Sequence, residues 1–420
     1  MERYKPISLL NLLLSLSEAM DLAGPELVQH QQRTAFVAWE LGRAAKLPEA
    51  RLEQLFYAAL LHDIGALSVE EKYSILHGVS EAEFGDHSAR GEVLLRKLPF
   101  LGDAASLVGD HHTNWEDQKY TISENLNLER QILQLADTLE RSVTRGTYIL
   151  YQQKDLTERV NEMSGTILHP DVVELFNAVS AREEFWLDMT SRRLYPLLLN
   201  NGPSRRIEVG IENLFQIAEI FANIIDFRSR FTSTHSSGVS ASATMIAKMF
   251  GLTESEVVYM EVAGYLHDLG KLAIPNSILE KPGVMTMAEF SLMRSHTYYT
   301  YSVLNTIGGL QQIAEWGAYH HERLDGSGYP FHCKATELSI GARIMMVADV
   351  FTAMAEDRPY RKGMVREEVT RILKDFASRS LLEKRIVDLV VDNYQEVFFF
   401  MKQKQNAARE FYESQFATTR

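Results

Sequence analysis

The sequence has little cysteine and no excess of positive charge. Its 420 residues include one cysteine, Cys333, which excludes a disulfide framework and a cysteine-rich zinc site. A single cysteine also fits a reducing compartment, and we predict a cytoplasmic protein. Lys and Arg number 43 against 56 Asp and Glu, so the net charge is −13. Because non-specific binding to duplex DNA needs a basic footprint, we expect no DNA binding.

Long apolar runs are also missing. The apolar run from Ile7 to Leu16 is shorter than the roughly 20 residues that cross a bilayer, so we expect no membrane association. Hydrophobic residues make up 45% and charged residues 24%, which is ordinary for a globular chain of about two domains. Several segments show helical apolar spacing and none shows sustained period-two alternation. The pattern predicts an all-α fold.

Ten of the 13 histidines fall into two series with matching spacing. The first series is His30, His62-Asp63, His87, His111-His112 and Asp137, and the second is His235, His267-Asp268, His296, His320-His321 and Asp349. In both series 32 residues separate the first two histidines, and 24 separate the third from the His-His pair. We therefore predict tandem duplicated domains, residues 1–198 and 205–420.

The residue types of each series indicate a metal site. Imidazole and carboxylate together suit first-row transition metals. Seven such groups exceed the needs of one ion, so two ions that share a bridging aspartate are the simplest arrangement. Two ions about 3.5–4 Å apart can hold a hydroxide between them and polarise a phosphoryl oxygen. The pattern predicts phosphoester hydrolysis.

Three ordered motifs accompany the second series. They are His267-Asp268-Leu269-Gly270-Lys271, the stretch from His320 to the triplet Gly328-Tyr329-Pro330, and Asp357-Arg358-Pro359-Tyr360-Arg361. Together they resemble the HD-GYP branch of the HD metal-dependent phosphohydrolases over residues 226–361. The resemblance implies tandem HD-type helical domains and a role in bacterial second messenger signalling. It also implies that a metal-bridging hydroxide hydrolyses a cyclic dinucleotide, cyclic di-GMP or 3′,3′-cyclic GMP-AMP, to the linear dinucleotide.

The resemblance also implies a role for each matching residue. One divalent transition metal ion would be held by His235, His267, Asp268 and Asp349. A second would be held by His296, His320 and His321, with Asp268 as the bridge. Asp268 and Lys271 would be catalytic, and the substrate would be bound by Lys271, Tyr329, Arg358 and Arg361. The family's chemistry points to Fe, Mn or Ni as the metal.

Three positions depart from the family pattern. The loop after Pro330 carries His332-Cys333 and Ala335 where the family usually has two glycines. Thr352 stands where an aspartate often follows the last ligand by three residues. Phe231 stands where some members have a glutamate that holds a third metal, so we predict two metals.

The first series keeps its ligands but lacks the substrate motifs. A second metal site would comprise His30, His62, Asp63, His87, His111, His112 and Asp137. Ala66 replaces Lys271, and no GYP triplet follows His112. We predict a degenerate HD-type domain that binds metal without cleaving cyclic dinucleotides. The alternatives are an empty regulatory or dimerising module and a hydrolase for another phosphoester.

Other functions and partners stay open at this point. The whole chain could be a cyclic dinucleotide sensor that cleaves weakly, or an HD-type nucleotide phosphomonoesterase. A homodimer and a protein partner at the GYP surface are also compatible with the sequence.

Overall fold

The computed structural model describes residues 7–22, 24, 26–77, 87–117, 121–122, 124, 126–203, 208–227, 234–281, 283–357 and 362–416. The chain divides into two compact units. We call Leu9–Ala66 with Glu70–Ile207 the N-terminal unit, and Glu208–Arg420 with Met1–Ser8 and Leu67–Val69 the C-terminal unit. The assignment of residues 1–198 and 205–420 to a degenerate and a catalytic domain stays a prediction.

The N-terminal unit is built from helices. They are α1 (Leu9–Asp21), α2 (His30–Ala44), α3 (Glu49–Leu61), α4 (Val69–Leu76), α5 (His87–Leu95), α6 (Gly102–Gly109), α7 (Asn127–Ser142), α8 (Ile149–Glu162), α9 (Pro170–Ser180), α10 (Glu183–Met189) and α11 (Leu194–Asn201). Its core contains Phe176, Phe185 and Trp186. The Trp186 indole donates to the carbonyl of Ser180 at 2.8 Å, so its buried N–H is satisfied.

The C-terminal unit is also helical. Its helices are α12 (Ile211–Phe227), α13 (His235–Phe250), α14 (Glu254–Leu266), α15 (Asn276–Leu279), α16 (Met287–Asn305), α17 (Gln311–Ala318), α18 (Ile340–Ala355), α19 (Arg366–Ser378), α20 (Lys384–Asp392) and α21 (Tyr394–Phe416). One short antiparallel pair, β1 (Ile7–Ser8) with β2 (Glu208–Val209), is the sheet of the described chain. The all-α prediction is confirmed.

The helices that carry the two histidine series pack in the same order in each unit. In the N-terminal unit α2 packs on α3 and α7, while α6 packs on α3 and α5. In the C-terminal unit α13 packs on α14 and α18, while α17 packs on α14 and α16. The C-terminal unit adds α21, which packs along α13. The shared order is what a duplicated domain requires.

Two helix starts follow from the local sequence. The side chains of Thr253 and Glu256 form a reciprocal capping box at the start of α14, and Thr286 and Glu289 form one at the start of α16. Each box satisfies two backbone N–H groups that the first helical turn leaves without partners. These are the helices that bring His267 and His296 to the site.

Among the described residues, no helix combines the length and apolar character of a membrane span.

Candidate metal centres

The second histidine series lies at helix ends and on two helix faces that converge. His235 is the first residue of α13, His267 and Asp268 follow α14, His296 lies on α16, His320 and His321 follow α17, and Asp349 lies on α18. Helix ends carry five of these side chains, and the faces of α16 and α18 carry the other two. The structure thus brings the seven predicted ligands of the C-terminal unit together.

The glycine of the His-Asp-x-Gly motif allows a close approach of two backbones. A Cβ atom at Gly270 would lie 1.9 Å from the carbonyl oxygen of His296. The Gly270 N–H donates to Oγ1 of Thr300 at 2.9 Å, and that hydroxyl donates to the carbonyl of His267 at 3.0 Å. These contacts hold the turn after α14 against α16. The motif therefore fixes the distance between Asp268 and His296.

The ligand atoms of the C-terminal unit form two groups that share Asp268. Oδ2 of Asp268 lies 3.2 Å from Nε2 of His267, and Oδ1 lies 3.3 Å from Nε2 of His296. His235, His267 and Asp268 form one group, and His296, His320 and His321 form the other. Oδ1 of Asp349 lies 3.4 Å from His235, and Oδ2 lies 3.8 Å from His321. The carboxylates of Asp268 and Asp349 thus both lie between the two groups of ligand atoms.

Backbone hydrogen bonds fix the orientation of three imidazole rings. The Nδ1–H groups of His267, His296 and His320 donate to carbonyls three residues earlier, at 2.8, 2.6 and 2.7 Å. Since Nδ1 carries the hydrogen, Nε2 carries the lone pair, and in each ring Nε2 faces Asp268. Such an outer hydrogen bond is the usual support of a metal-binding histidine.

Burial keeps the second group of histidines neutral. It lowers the pKa of His296 to about 4 and that of His321 to about 3. Burial acts to raise the pKa of Asp268, but His267 and Lys271 outweigh it and hold that pKa well below its usual range. At neutral pH the second group therefore offers lone pairs beside an ionised carboxylate, which are the protonation states that a metal needs.

His235 differs from the other ligands. Burial acts to lower its pKa, yet the carboxylates of Glu356 and Asp349 raise the pKa to about 10. The ring therefore holds a proton between two carboxylates. Metal binding at Nε2 would displace that proton.

Lys271 and the GYP loop border the two groups. Nζ of Lys271 donates to Oδ2 of Asp268 at 2.5 Å. The Tyr329 ring lies 4.9 Å from that of His321, and the guanidinium of Arg294 lies over the Tyr329 ring at 4.7 Å. Arg294 was not predicted from the sequence. These side chains form a cationic and aromatic wall beside the histidines.

A buried glutamate holds the loop that lacks the family's glycines. The carboxylate of Glu322 accepts from the backbone N–H of Phe331 at 2.8 Å and from that of Cys333 at 3.1 Å. A Cβ atom at Gly328 would lie 2.4 Å from Cα of Glu322, so this loop position accepts only glycine. The loop thus has its own support in Glu322, which lies within the stretch from His320 to the GYP triplet.

The first histidine series forms a similar cluster in the N-terminal unit. Asp63 lies between the two groups, 3.2 Å from His30 through Oδ2 and 3.4 Å from His87 through Oδ1. Nε2 of His112 lies 3.2 Å from Nε2 of His87. The two groups are His30, His62 and Asp63, and His87, His111 and His112. Oδ1 of Asp137 lies 3.4 Å from Nε2 of His62, so all seven residues predicted for this unit converge.

The side chains that contact the aspartates of the N-terminal cluster differ from those in the C-terminal cluster. Where the C-terminal unit has Lys271, Nε2 of Gln31 donates to Oδ2 of Asp63 at 3.1 Å. Arg141 lies one helical turn after Asp137 and contacts its Oδ2 at 2.9 Å. The N-terminal cluster thus has a neutral amide where the C-terminal cluster has an ammonium group. The guanidinium of Arg141 also forms an ion pair with one oxygen of the Asp137 carboxylate.

Some predicted residues cannot be placed. The segment with Arg358 and Arg361 and the position of Phe231 lie outside the described residues. Their predicted roles, in substrate binding and in the absence of a third metal, stay predictions.

Both clusters contain buried polar atoms that suit a metal ion. Nε2 of His267 and Oδ1 of Asp268 are buried without a hydrogen bond to the described residues. The same holds for Nε2 of His111 and Oδ1 of Asp63 in the N-terminal unit. Buried polar atoms are rarely left without partners, so these atoms fit a ligand that the protein itself does not supply. The donor sets of imidazole and carboxylate fit a first-row transition metal.

The fold and the two clusters define a helical protein with two similar units, each with a histidine and aspartate cluster that could hold metal. A family profile described as HD domain matches residues 15–168 and 219–382. The chain belongs to the HD domain family, and it carries two copies of the domain. The predicted membership and the duplication are confirmed.

Known proteins resemble this chain over different lengths. It is 28% identical over 401 residues to the 3′3′-cGAMP-specific phosphodiesterase 1 of Vibrio cholerae, covering 93% of each chain. It is 36% identical over 188 residues to a cyclic di-GMP phosphodiesterase of Thermotoga maritima, covering 42% of this chain and 51% of the relative. A crystal structure of a V. cholerae cyclic GMP-AMP-specific phosphodiesterase, V-cGAP3, matches with a TM-score of 0.64 at 21% identity. That match covers 96% of this chain and 98% of the other.

Proposed function

We propose that this chain is a metal-dependent phosphodiesterase that hydrolyses a cyclic dinucleotide to the linear dinucleotide in its C-terminal unit. The observation that carries the proposal is the contact of Lys271 with Asp268, within the cluster of seven predicted ligands. The N-terminal unit has the ligands without the lysine. The names of the relatives support the same reaction.

Each side chain of the C-terminal cluster has a distinct part in this reaction. His235, His267, Asp268 and Asp349 would hold one divalent ion, and His296, His320 and His321 the other, with Asp268 as the bridge. When bound, Fe, Mn or Ni ions would activate water and polarise the scissile phosphate. Lys271 would offset the charge that develops on the phosphoryl oxygens. Tyr329 with Arg294 would wall the substrate cleft, and Arg358 with Arg361 would bind phosphate.

We propose 3′3′-cGAMP as the preferred substrate. Two relatives named for that substrate align with 93% and 92% of this chain, through both HD copies. The relative from T. maritima, named for cyclic di-GMP, aligns with 42% of the chain. A third relative named for 3′3′-cGAMP also aligns with 42% of the chain, so the support for this substrate is the nearly full-length alignment with the first two relatives.

The N-terminal unit is proposed to bind metal without cleaving cyclic dinucleotides. Gln31 contacts Asp63 through a neutral amide where Lys271 contacts Asp268 through an ammonium group, so the first cluster lacks this charge for stabilising a phosphate. A cytoplasmic location, a homodimer and a protein partner at the GYP surface belong to the same proposal. The single cysteine, Cys333, is the observation behind the first of these.

Chromatographic turnover by the purified full chain tests the proposal. The protein would be loaded with Mn²⁺ or, without oxygen, Fe²⁺, and given 3′3′-cGAMP, cyclic di-GMP and cyclic di-AMP in parallel. We expect a linear dinucleotide, formed fastest from 3′3′-cGAMP. No linear product from any of the three would contradict the proposal and favour a sensor or a phosphomonoesterase.

A further inference from the structure

The ring of His235 is held between two carboxylates. Both carboxylate oxygens of Glu356 lie near its Nδ1, at 3.1 and 3.2 Å, while Oδ1 of Asp349 lies 3.4 Å from its Nε2. Glu356 is buried and follows the last residue of α18. Its carboxylate thus accepts the Nδ1 hydrogen and turns Nε2 toward Asp349.

His235 needs this support because of its place in the fold. The Nδ1 groups of His267, His296 and His320 donate to carbonyls three residues earlier in the chain. α13 begins at His235, so this helix has no earlier turn to offer a carbonyl. The carboxylate of Glu356, just after α18, accepts the hydrogen instead.

The N-terminal unit meets the same need with a different residue. His30 is the first residue of α2, and its Nδ1 pairs with the buried carboxylate of Glu140. Glu140 follows Asp137 by three residues, whereas Glu356 follows Asp349 by seven. The two offsets differ by about one helical turn, which keeps both carboxylates on the same helix face as the preceding aspartate.

Thr352 explains the different position in the C-terminal unit. It stands three residues after Asp349, where the first copy has its glutamate, and its hydroxyl pairs with that of Ser242 at 2.9 Å. Glu356 therefore supplies from the next turn the carboxylate that Thr352 lacks.

The C-terminal helix holds Glu356 in turn. Nε2 of Gln405, a buried residue of α21, donates to Oε2 of Glu356 at 3.2 Å and to the carbonyl of Thr234 at 3.4 Å. In the N-terminal unit, Arg145 instead contacts Glu140. In the C-terminal unit, a neutral amide thus contributes to holding the carboxylate beside His235.

We propose that Glu356 is a positioning residue for the C-terminal metal centre, and that Gln405 holds it in place from α21. Glu356 fixes the tautomer and the ring orientation of His235, so that Nε2 is presented to the metal. The inference rests on the proposed metal site but not on the identity of the substrate.

Metal affinity tests this inference. Full-length Glu356→Gln and Glu356→Ala would be titrated with Mn²⁺ by calorimetry in an Asp63→Ala background, which removes the shared carboxylate of the N-terminal cluster. Loss of an outer-shell partner typically weakens metal binding about 10–100-fold. We expect about 10-fold for Gln, which keeps a hydrogen-bond acceptor, and about 100-fold for Ala. Gln405→Ala should weaken binding in the same direction by less.

The controls separate positioning from folding and from catalysis. Glu337→Ala removes an exposed glutamate of the same unit that accepts from the Lys334 backbone at 2.9 Å, and it should bind Mn²⁺ like the background. Thermal unfolding without metal would report a purely structural role. Unchanged affinity in both Glu356 variants, with a lower Tm without metal, would overturn the inference. If those variants do not fold, unchanged affinity in Gln405→Ala would overturn it. Because the experiment measures Mn²⁺ binding, it tests the role of Glu356 even if the protein cleaves no cyclic dinucleotide.

Discussion

Replacing Lys271 by methionine should separate catalysis from metal binding. The lysine side chain is 18% exposed, and its ammonium lies 2.5 Å from Oδ2 of Asp268. It is thus placed where charge would develop on a phosphate held beside Asp268. Removing one such preorganised donor from a site that excludes water typically costs about 10²–10³ in kcat, or about 2.7–4 kcal/mol. We expect a loss of this size.

The same variant should keep its metal. Lys271 offsets part of the negative charge of Asp268, so its removal leaves that carboxylate with more charge for a cation. We therefore expect Mn²⁺ affinity equal to or higher than that of the wild type. The assay is single-turnover cleavage at saturating Mn²⁺, with bound metal measured on the same samples.

A second lysine provides the matched control. Nζ of Lys281 donates to both oxygens of Glu289, at 2.8 and 2.6 Å, in the same unit. Lys281→Met should leave kcat unchanged to within about twofold, because a partly exposed ion pair contributes little. A wild-type kcat in Lys271→Met would refute the role of its charge. A parallel loss of bound metal would instead assign the effect to the metal centre.

Three further predictions concern stability. Gly270→Ala should lower the free energy of unfolding by roughly 3 kcal/mol or more in urea titrations, because its Cβ would meet the His296 carbonyl at 1.9 Å; wild-type stability would contradict this. Thr253→Ala should cost about 1 kcal/mol through loss of the capping box with Glu256, and a double variant that also carries Glu256→Ala should add little. Burial raises the pKa of Asp226 from 3.8 to about 7, so the stability that its protonated form contributes is present below 3.8 and lost as pH rises through about 7. Without metal, the free energy of unfolding of Asp226→Asn should therefore rise relative to that of the wild type by roughly 2–3 kcal/mol between about pH 5 and pH 8. Parallel pH profiles of the two unfolding free energies would contradict the assignment.

Much of the site follows from spacing along the chain. A histidine at the first position of a helix and a His-Asp pair after the next helix recur at a fixed distance, because the helices between them have fixed lengths. Equal spacing in the two histidine series therefore predicts that the corresponding helices of the two units pack in the same way. Arg141 could also be inferred locally, since it lies one helical turn after Asp137.

The supporting glutamates could not be predicted in the same way. Glu356 contacts His235 across 121 residues, and Glu140 contacts His30 across 110, so only the packing of two helices brings each pair together. Thr352, which stands where the family often has aspartate, showed that a carboxylate was missing. It did not show that Glu356 supplies one instead. Glu322 and Arg294 act through a loop whose path depends on tertiary contacts.

A matched pair of aspartate variants tests the central claim most directly. Asp268 and Asp63 hold equivalent places between the two ligand groups of their units. Linear product from 3′3′-cGAMP would be measured for the wild type, Asp268→Ala and Asp63→Ala under identical metal loading. The account predicts that Asp268→Ala forms no linear product while Asp63→Ala remains active. Wild-type turnover by Asp268→Ala would contradict it.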